Sequence, residues 1–325
     1  MNNNKWVLVI TFVCILLSGC QKEKYAPIDE NQPFVATLNV RDHGIDFLNE
    51  TGKRIAHWHL NKMYTGGRLL SDGDTLILYG TELEEVDIFS LKTGEQKSSI
   101  KTGKGITNGL DIESISKLAF TDKIRNEIRF FDYSGKETNH IKTDTYPLTM
   151  QADDQHVYVA SYQGTKLSII DLQTLTLEAE MKIIPSATGM LIRKDADELW
   201  LGGHGSGNKA QSFISVYSLK SDQLKEELSA PLMPVDFYEN EFGIYAISHG
   251  TNMLYHFNEE KQLINQVEVG ANPFALSFFA GNVIVAGFDS DTLYWLNPET
   301  LKIERQAEVG KGPFVIFTRE KVEEW

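Results

Sequence analysis

Residues 269–314 read VGANPFALSFFAGNVIVAGFDSDTLYWLNPETLKIERQAEVGKGPF, and this stretch decides the fold. It contains four apolar runs, each rich in Val, Ile, Leu, Tyr or Phe and each bounded by turn residues. Runs of this length and composition predict β-strands. In the third run, residues 292–296, neighbouring side chains must point to opposite faces of a sheet. The stretch therefore predicts one unit of four short strands.

The same succession of runs and turns recurs through the chain. Units begin near residues 64, 105, 146, 187, 233 and 273, at separations of 41, 41, 41, 46 and 40 residues. The longest unit carries an insertion at residues 202–210, and no helical period is sustained after Cys20. Four strands about every 40 residues are typical of the blades of a β-propeller.

The two ends of the chain supply one further unit in two pieces. Residues 33–63 contain three apolar runs, and residues 313–317 contain a single run. Pairing the last strand with the first three would close a ring and remove exposed strand edges. The sequence therefore predicts an all-β fold, a seven-bladed β-propeller of four-stranded blades over residues 33–317. The ring is closed by pairing the C-terminal strand with the N-terminal blade, and residues 318–325 form a C-terminal tail.

Short motifs recur in the later units: Val269-Gly270 with Pro273, Val309-Gly310 with Pro313, VYVAS at 157–161 and LSIID at 167–171. These motifs resemble the repeat of the YVTN-type β-propeller family. Ser161 and Gly287 stand where that family usually has asparagine. The resemblance covers residues 146–317 well and the earlier units loosely. It implies a seven-bladed propeller, and it implies little about chemistry because such folds host unrelated functions.

The first twenty residues, MNNNKWVLVITFVCILLSGC, predict a lipoprotein signal peptide at 1–19. Lys5 is followed by an apolar run at 6–17, which is too short to span a bilayer as a helix. The ending Leu-Ser-Gly-Cys resembles the bacterial lipobox, which implies cleavage before Cys20 and a diacylglyceryl group on its thiol. Two acyl chains give stable anchoring. Residues 20–32 are then the lipidated cysteine and a polar tether, and the body lies on the extracytoplasmic side of the cell membrane.

Charge and cysteine usage exclude several kinds of site. The formal net charge is -14, which argues against a nucleic-acid partner because such partners require a basic surface. The two cysteines, Cys14 and Cys20, both lie in the first twenty residues. The predicted propeller therefore offers no cysteine nucleophile and no cysteine-based metal site.

Candidate ligand-binding residues follow from the blade topology. The connection that leads into each inner strand and the connection between the second and third strands lie on the same face. Aromatic and imidazole groups recur there, and with one polar residue they form the candidate set His43, Asn108, Tyr162, His204, His249 and Phe288. No metal is predicted, because equivalent atoms of adjacent blades are expected to lie too far apart to share an ion.

Little in the sequence favours catalysis. Ser206 lacks the strand-to-helix turn of a nucleophile elbow, and Asn108 and Asp236 are the only polar candidates at the starts of inner strands. We therefore expect a non-catalytic binding or scaffolding module, without a cofactor, for an envelope protein, a peptide or a glycan. The alternative is a propeller enzyme, such as a lactonase-like hydrolase or a quinone-type oxidoreductase.

Overall fold

The computed structural model describes residues 24–207 and 209–320, which form β-strands and the turns between them. One 3-10 turn, Glu113–Ile115, follows the eighth strand. The strands are β1 (Phe34–Asn39), β2 (Gly44–Leu48), β3 (Arg54–His59), β4 (Gly66–Leu69), β5 (Thr75–Tyr79), β6 (Glu85–Ser90), β7 (Glu95–Lys101), β8 (Ile106–Ile112), β9 (Lys117–Asp122), β10 (Glu127–Asp132), β11 (Glu137–Lys142), β12 (Pro147–Ala152), β13 (His156–Ser161), β14 (Lys166–Asp171), β15 (Thr176–Lys182), β16 (Ala187–Arg193), β17 (Glu198–Gly203), β18 (Gly205–Ser206), β19 (Lys209–Ala210), β20 (Phe213–Tyr217), β21 (Leu224–Ser229), β22 (Pro234–Asn240), β23 (Gly243–Ser248), β24 (Met253–Phe257), β25 (Leu263–Glu268), β26 (Pro273–Phe279), β27 (Asn282–Gly287), β28 (Thr292–Leu296), β29 (Ile303–Glu308) and β30 (Pro313–Arg319).

Seven four-stranded antiparallel sheets form the blades, which confirms the predicted fold. Blade 1 has the order β30-β1-β2-β3, and blades 2, 3 and 4 are β4–β7, β8–β11 and β12–β15. Blade 5 is β16-β17-β20-β21, and blades 6 and 7 are β22–β25 and β26–β29. The insertion predicted at 202–210 includes the small hairpin β18–β19, which lies between the second and third strands of blade 5.

The burial of a strand depends on its place in the blade: the second strand is more buried than the outer strand. All six residues of β23 are buried, because the second strand of a blade has another blade against each face. The outer strand β25 alternates exposed and half-buried residues. Between the blades, large apolar side chains meet across the gap. The ring of Trp200 in blade 5 lies 5.8 Å from that of Phe257 in blade 6. Packing of apolar side chains between neighbouring blades buries apolar surface and so stabilises the fold.

Ring closure is made by β30, which pairs antiparallel with β1 as predicted. The pairing places Leu38 opposite Val315 and Phe34 opposite Arg319. The closing strand thus extends through Arg319, two residues beyond the predicted end of the propeller at 317. The Arg319 guanidinium lies 4.7 Å from the centre of the Phe34 ring and donates a hydrogen bond of 2.9 Å to the Gly73 carbonyl of blade 2.

Residues 24–32, which belong to the segment predicted as a polar tether, lie against blades 1 and 2. The ring of Tyr25 stacks on Trp58 at 4.8 Å, and the side chain of Ile28 is buried. The Ile28 N–H donates to the Leu91 carbonyl at 2.8 Å. The described part of the segment is therefore attached to the propeller.

The predicted signal peptide at 1–19, Cys20 and the residues up to 23 lie outside the described residues, as do residues 321–325 of the predicted tail. Within 24–207 and 209–320, no helix has the length and apolar character needed to cross a bilayer.

Antiparallel blades give the ring two distinct faces. We call the upper face the one that carries the connections between second and third strands and the connections into the next inner strand. The lower face carries the other hairpins, including the one between β6 and β7 that contains Gly94. The Tyr25 N–H donates to the Gly94 carbonyl at 2.7 Å. The N-terminal segment 24–32 is therefore held at the lower face.

Ring closure can be tested by truncation. Ending the chain after Gly310 removes β30 and leaves one edge of β1 unpaired, so blade 1 would lack its inner strand. Because unpaired buried backbone groups are costly, we expect loss of the cooperative thermal transition and aggregation. The matched control ends after Glu320 and should melt within a few degrees of the full chain. Differential scanning calorimetry of both truncations would show the contrast. Equal melting temperatures would contradict closure by β30.

Candidate functional site

A central cavity of about 880 Å3 runs between the inner strands. All seven blades contribute to its wall, through residues at the starts of β4, β8, β12, β16, β22, β26 and β30. The carboxylates in the wall are Asp153 and Asp236. The cavity is therefore large enough for a small ligand, and its wall also carries the cationic side chains of Arg68 and Lys194.

Several polar side chains of the wall are already hydrogen-bonded to the neighbouring blade. Asn108 donates to the Leu148 carbonyl at 3.1 Å, so its amide links blade 3 to blade 4. The other such links, each within 3.0 Å, are Thr107 to the Pro147 carbonyl, Thr149 to the Thr188 carbonyl, Gln151 to the Met190 carbonyl, and the Leu276 N–H to Asp236. These groups hold adjacent blades together around the axis.

Seven aromatic or imidazole rings form a continuous row on the upper face. We call this row the aromatic arc: Tyr146, Tyr162, His204, His249, Phe274, Phe288 and Phe314. Successive ring centres lie 5.0 to 5.9 Å apart. The row crosses blades 4, 5, 6, 7 and 1, and every ring in it is half-buried. The arc therefore presents a broad aromatic surface at one mouth of the cavity.

Four of the six predicted ligand-binding residues belong to this arc: Tyr162, His204, His249 and Phe288. His43 lies in the corresponding connection of blade 1, but among the described residues it makes no ring contact with the arc. Asn108 lies inside β8 and serves the link between blades. Whether any of these residues binds a ligand stays a prediction.

Sequence reasoning missed Phe274 and Phe314 and did not select Tyr146. Both phenylalanines directly follow a proline, at the start of β26 and of β30. We assigned these runs to the buried inner strands, whereas both rings are half-buried and lie at the cavity mouth. The Pro-Phe pair, which recurs at 273–274 and 313–314, was the feature of the sequence that could have identified both residues.

A positive charge lies at each end of the arc. The Arg41 guanidinium is 4.2 Å from the centre of the Phe288 ring, and the Lys123 ammonium is 5.3 Å from that of Tyr146. Both distances suit cation–π attraction. Arg41 also forms an ion pair of 2.7 Å with Asp289, so its position is fixed from two sides.

The middle of the arc is the pair His204 and His249, on blades 5 and 6. Their ring centres lie 5.0 Å apart with the planes at 69°. The two rings come close because the blades converge near the axis, and whether equivalent atoms of adjacent blades can share an ion stays a prediction. Burial lowers the pKa of His204, and the charge of His249 lowers it further, so the neutral imidazole is favoured at neutral pH.

Asp236 is the unusual carboxylate of the cavity wall. Its two oxygens accept the N–H groups of Phe237 and Leu276, both at 2.9 Å. Burial raises the pKa of Asp236 to about 7, although these two hydrogen bonds favour the ionised form. No cation among the described residues forms an ion pair with it. At neutral pH the group is therefore close to half protonated.

Solved structures of low sequence identity share this fold. A functionally unknown protein from Desulfotomaculum acetoxidans superimposes with a TM-score of 0.71 at 8% identity, over 88% of this chain and 99% of its own. Hydrazine synthase of Kuenenia stuttgartiensis gives 0.65 at 10% identity over 81% and 95%, and apo AztD from Citrobacter koseri gives 0.60 at 12% identity over 90% and 99%. No family model and no curated protein matches the sequence. At these identities the likeness shows the fold alone.

The high pKa of Asp236 predicts a specific dependence of stability on pH. Between about pH 4 and 7 the unfolded chain has lost this proton and the folded chain keeps it, so the free energy of unfolding should fall as pH rises. A rise from 3.8 to about 7 corresponds to about 4 kcal/mol, and contact with channel solvent should reduce this to about 2 kcal/mol. Urea unfolding at several pH values should show wild type losing this amount relative to Asp236→Asn, and no further loss above pH 8.

Asp153→Asn is the matched control for that experiment. Burial raises the pKa of Asp153, but the N–H groups of Gln155 and His156 outweigh it and hold the pKa below 3.8. The difference in the free energy of unfolding between wild type and this variant should therefore not change from pH 5 to 8. If the difference in unfolding free energy between wild type and Asp236→Asn also stays constant with pH, the pKa of Asp236 is not raised.

Proposed function

We propose that this chain is a non-catalytic binding module, held by lipid on the extracytoplasmic side of a bacterial membrane, and that the aromatic arc binds its partner. The partner is an envelope protein, a peptide or a glycan. One observation carries the proposal. Seven half-buried rings from five adjacent blades form an unbroken surface at the mouth of the cavity.

The physical properties of the arc suit ligand binding. Aromatic side chains offer a large contact area and lose little conformational entropy on binding, so they dominate binding energy at many interfaces. Each ring of the arc contacts at least one other ring, which limits its motion before a partner arrives. Flat rings of this kind accept the apolar face of a sugar or an apolar peptide side chain. Because the charges lie only at the two ends, affinity should depend weakly on salt.

The enzyme alternative needs groups that are free to act on a substrate. Both oxygens of Asp236 accept backbone N–H groups, and those of Asp153 accept N–H groups and the Tyr158 hydroxyl. Ser206 is exposed on the small hairpin β18–β19, away from any arrangement of base and acid that the structure describes. These observations support the binding module over a lactonase-like hydrolase or a quinone-type oxidoreductase.

The path of the N-terminal segment supports a definite orientation on the membrane. Lys24 lies beside Glu95 at the lower face, with an ion pair of 2.8 Å. Cys20 precedes Lys24 by four residues, which span at most about 14 Å. A lipid on Cys20 would therefore hold the lower face near the bilayer, with the arc facing away from it.

Partner binding is tested by replacing Tyr162, His204 and His249 together by alanine. Loss of three central rings should reduce capture of the partner from envelope extract at least about 30-fold, because such anchors contribute about 2 kcal/mol or more. The melting temperature should change by no more than about 5 °C, since the three residues lie in connections. Pull-down with quantitative mass spectrometry, and thermal melts, give both values.

The control replaces Tyr133, His59 and His140 by alanine, which removes the same residue types from exposed positions outside the arc. This variant should capture the partner as wild type does. If the arc variant folds and still captures the same partners, the binding surface lies elsewhere.

Orientation is tested with single fluorescent labels, which the chain permits because its only cysteines are Cys14 and Cys20. Glu82→Cys places a label on the upper face and Ser134→Cys places one on the lower face, and both positions are exposed. In vesicles with an acceptor dye on the lipid headgroups, energy transfer should be stronger from position 134. The Cys20→Ser variant should stay off the vesicles. Equal transfer from both labels would contradict the orientation.

A further inference from the structure

Two imidazole nitrogens at the centre of the arc are buried and lack a hydrogen-bond partner among the described residues. They are Nδ1 of His204 and Nε2 of His249, which belong to the two rings whose centres lie 5.0 Å apart. Buried polar atoms in proteins nearly always have a partner, so an unpaired one points to a water, an ion or a ligand. Here two such atoms occur on neighbouring rings of the arc, and one of these rings, His204, lines the cavity.

A chain of hydrogen bonds fixes which nitrogen of His249 carries the proton. Asn272 donates its amide to Asp289 at 3.0 Å, so its carbonyl oxygen faces His249. This oxygen lies 2.7 Å from Nδ1 of His249 and can only accept. Nδ1 therefore bears the hydrogen, and in the neutral ring Nε2 presents a lone pair. Metal-binding histidines usually have this arrangement, with the second ring nitrogen donating to a carbonyl or carboxylate.

His204 provides the second nitrogen. Its Nδ1 is buried beside the His249 ring and has no hydrogen-bond partner among the described residues, and neutral imidazole is the form that binds metals. The rings of Tyr162 and Phe274 flank the pair at 5.9 and 5.0 Å and shield it from solvent. Asp289, the carboxylate that Asn272 contacts, is already engaged by Arg41 and Asn272. Neutral nitrogen donors without a free carboxylate favour a transition-metal ion over Mg2+ or Ca2+.

We propose that His204 and His249 together bind one divalent transition-metal ion of the zinc, nickel and copper class, through Nδ1 and Nε2 respectively. The remaining coordination positions are filled by water or by a bound ligand. This site goes beyond the proposed partner binding and does not depend on it, because it needs only the purified chain and the metal.

A second group of possible ligands on blade 4 must be separated from this site. Single ligand atoms of His156, Asp171 and Glu178 lie within 4.8 Å of one another. His156 and Glu178 already contact each other at 2.9 Å, and Glu178 is exposed. The His156→Gln variant removes the only nitrogen ligand of that group and serves as the control.

The test is isothermal titration of the full chain in detergent with ZnCl2 or NiCl2 at pH 7.5, with MgCl2 for comparison. Wild type and His156→Gln should bind one Zn2+ per chain with equal affinity. His204→Gln and His249→Gln should bind at least tenfold more weakly. Asn272→Gly, which tolerates the left-handed backbone at this position, should weaken binding about 10 to 100-fold by releasing the His249 ring.

Electron paramagnetic resonance of the Cu2+ form of wild type gives a result that needs no variant, and it should show two coordinated imidazole nitrogens. The proposal is overturned if wild type binds no Zn2+ at 1 mM, if binding survives both His204→Gln and His249→Gln, or if it is lost in His156→Gln. Failure here, with normal loss of partner in the arc variant, would leave the proposed function intact.

Discussion

The pairing of β30 with β1 is the interaction on which the rest of the structure depends. It joins the last strand of the chain to the first and supplies blade 1 with its inner strand. It also brings Phe314 and Val315 into the cavity wall, so the cavity and the last ring of the arc exist only in the closed ring. Each blade leaves two sheet edges, and closure lets all seven blades pack side by side around one axis.

The closed ring also explains where the arc lies. Antiparallel strands return the chain alternately to the two faces, so the connections between second and third strands share a face with those into the inner strands. Near the axis, where blades converge, residues from adjacent blades come within 5 to 6 Å of each other. In blades 4 to 6 the ring placed in that connection contacts its counterpart in the next blade: Tyr162 contacts His204, and His204 contacts His249. The arc is therefore a consequence of repeat position and of ring radius together.

The sequence is sufficient to predict the strands and the closed ring, but it predicts only part of the candidate site. Repeat spacing located every blade, because four alternating runs between turns have few other solutions. The attachment of Tyr25 and Ile28 was missed, since isolated apolar residues in a polar segment carry no periodic signal and their partner Trp58 lies far along the chain. Phe274 was not selected, because a sequence does not show which end of a strand reaches the rim. The His204–His249 distance requires the ring radius, which three-dimensional packing alone sets.

Polar groups in the channel and rings at the rim serve different purposes. The amides of Asn108 and Gln151 are used to join neighbouring blades, which leaves the channel wall with little free hydrogen-bonding capacity. The rim residues, in contrast, are held from behind: Arg41 fixes Asp289, which orients Asn272. A surface held in this way loses less conformational freedom when it binds, so more of its contact energy appears as affinity. These properties support the proposal that recognition takes place at the rim of the upper face, with the channel acting mainly as the structural centre of the ring.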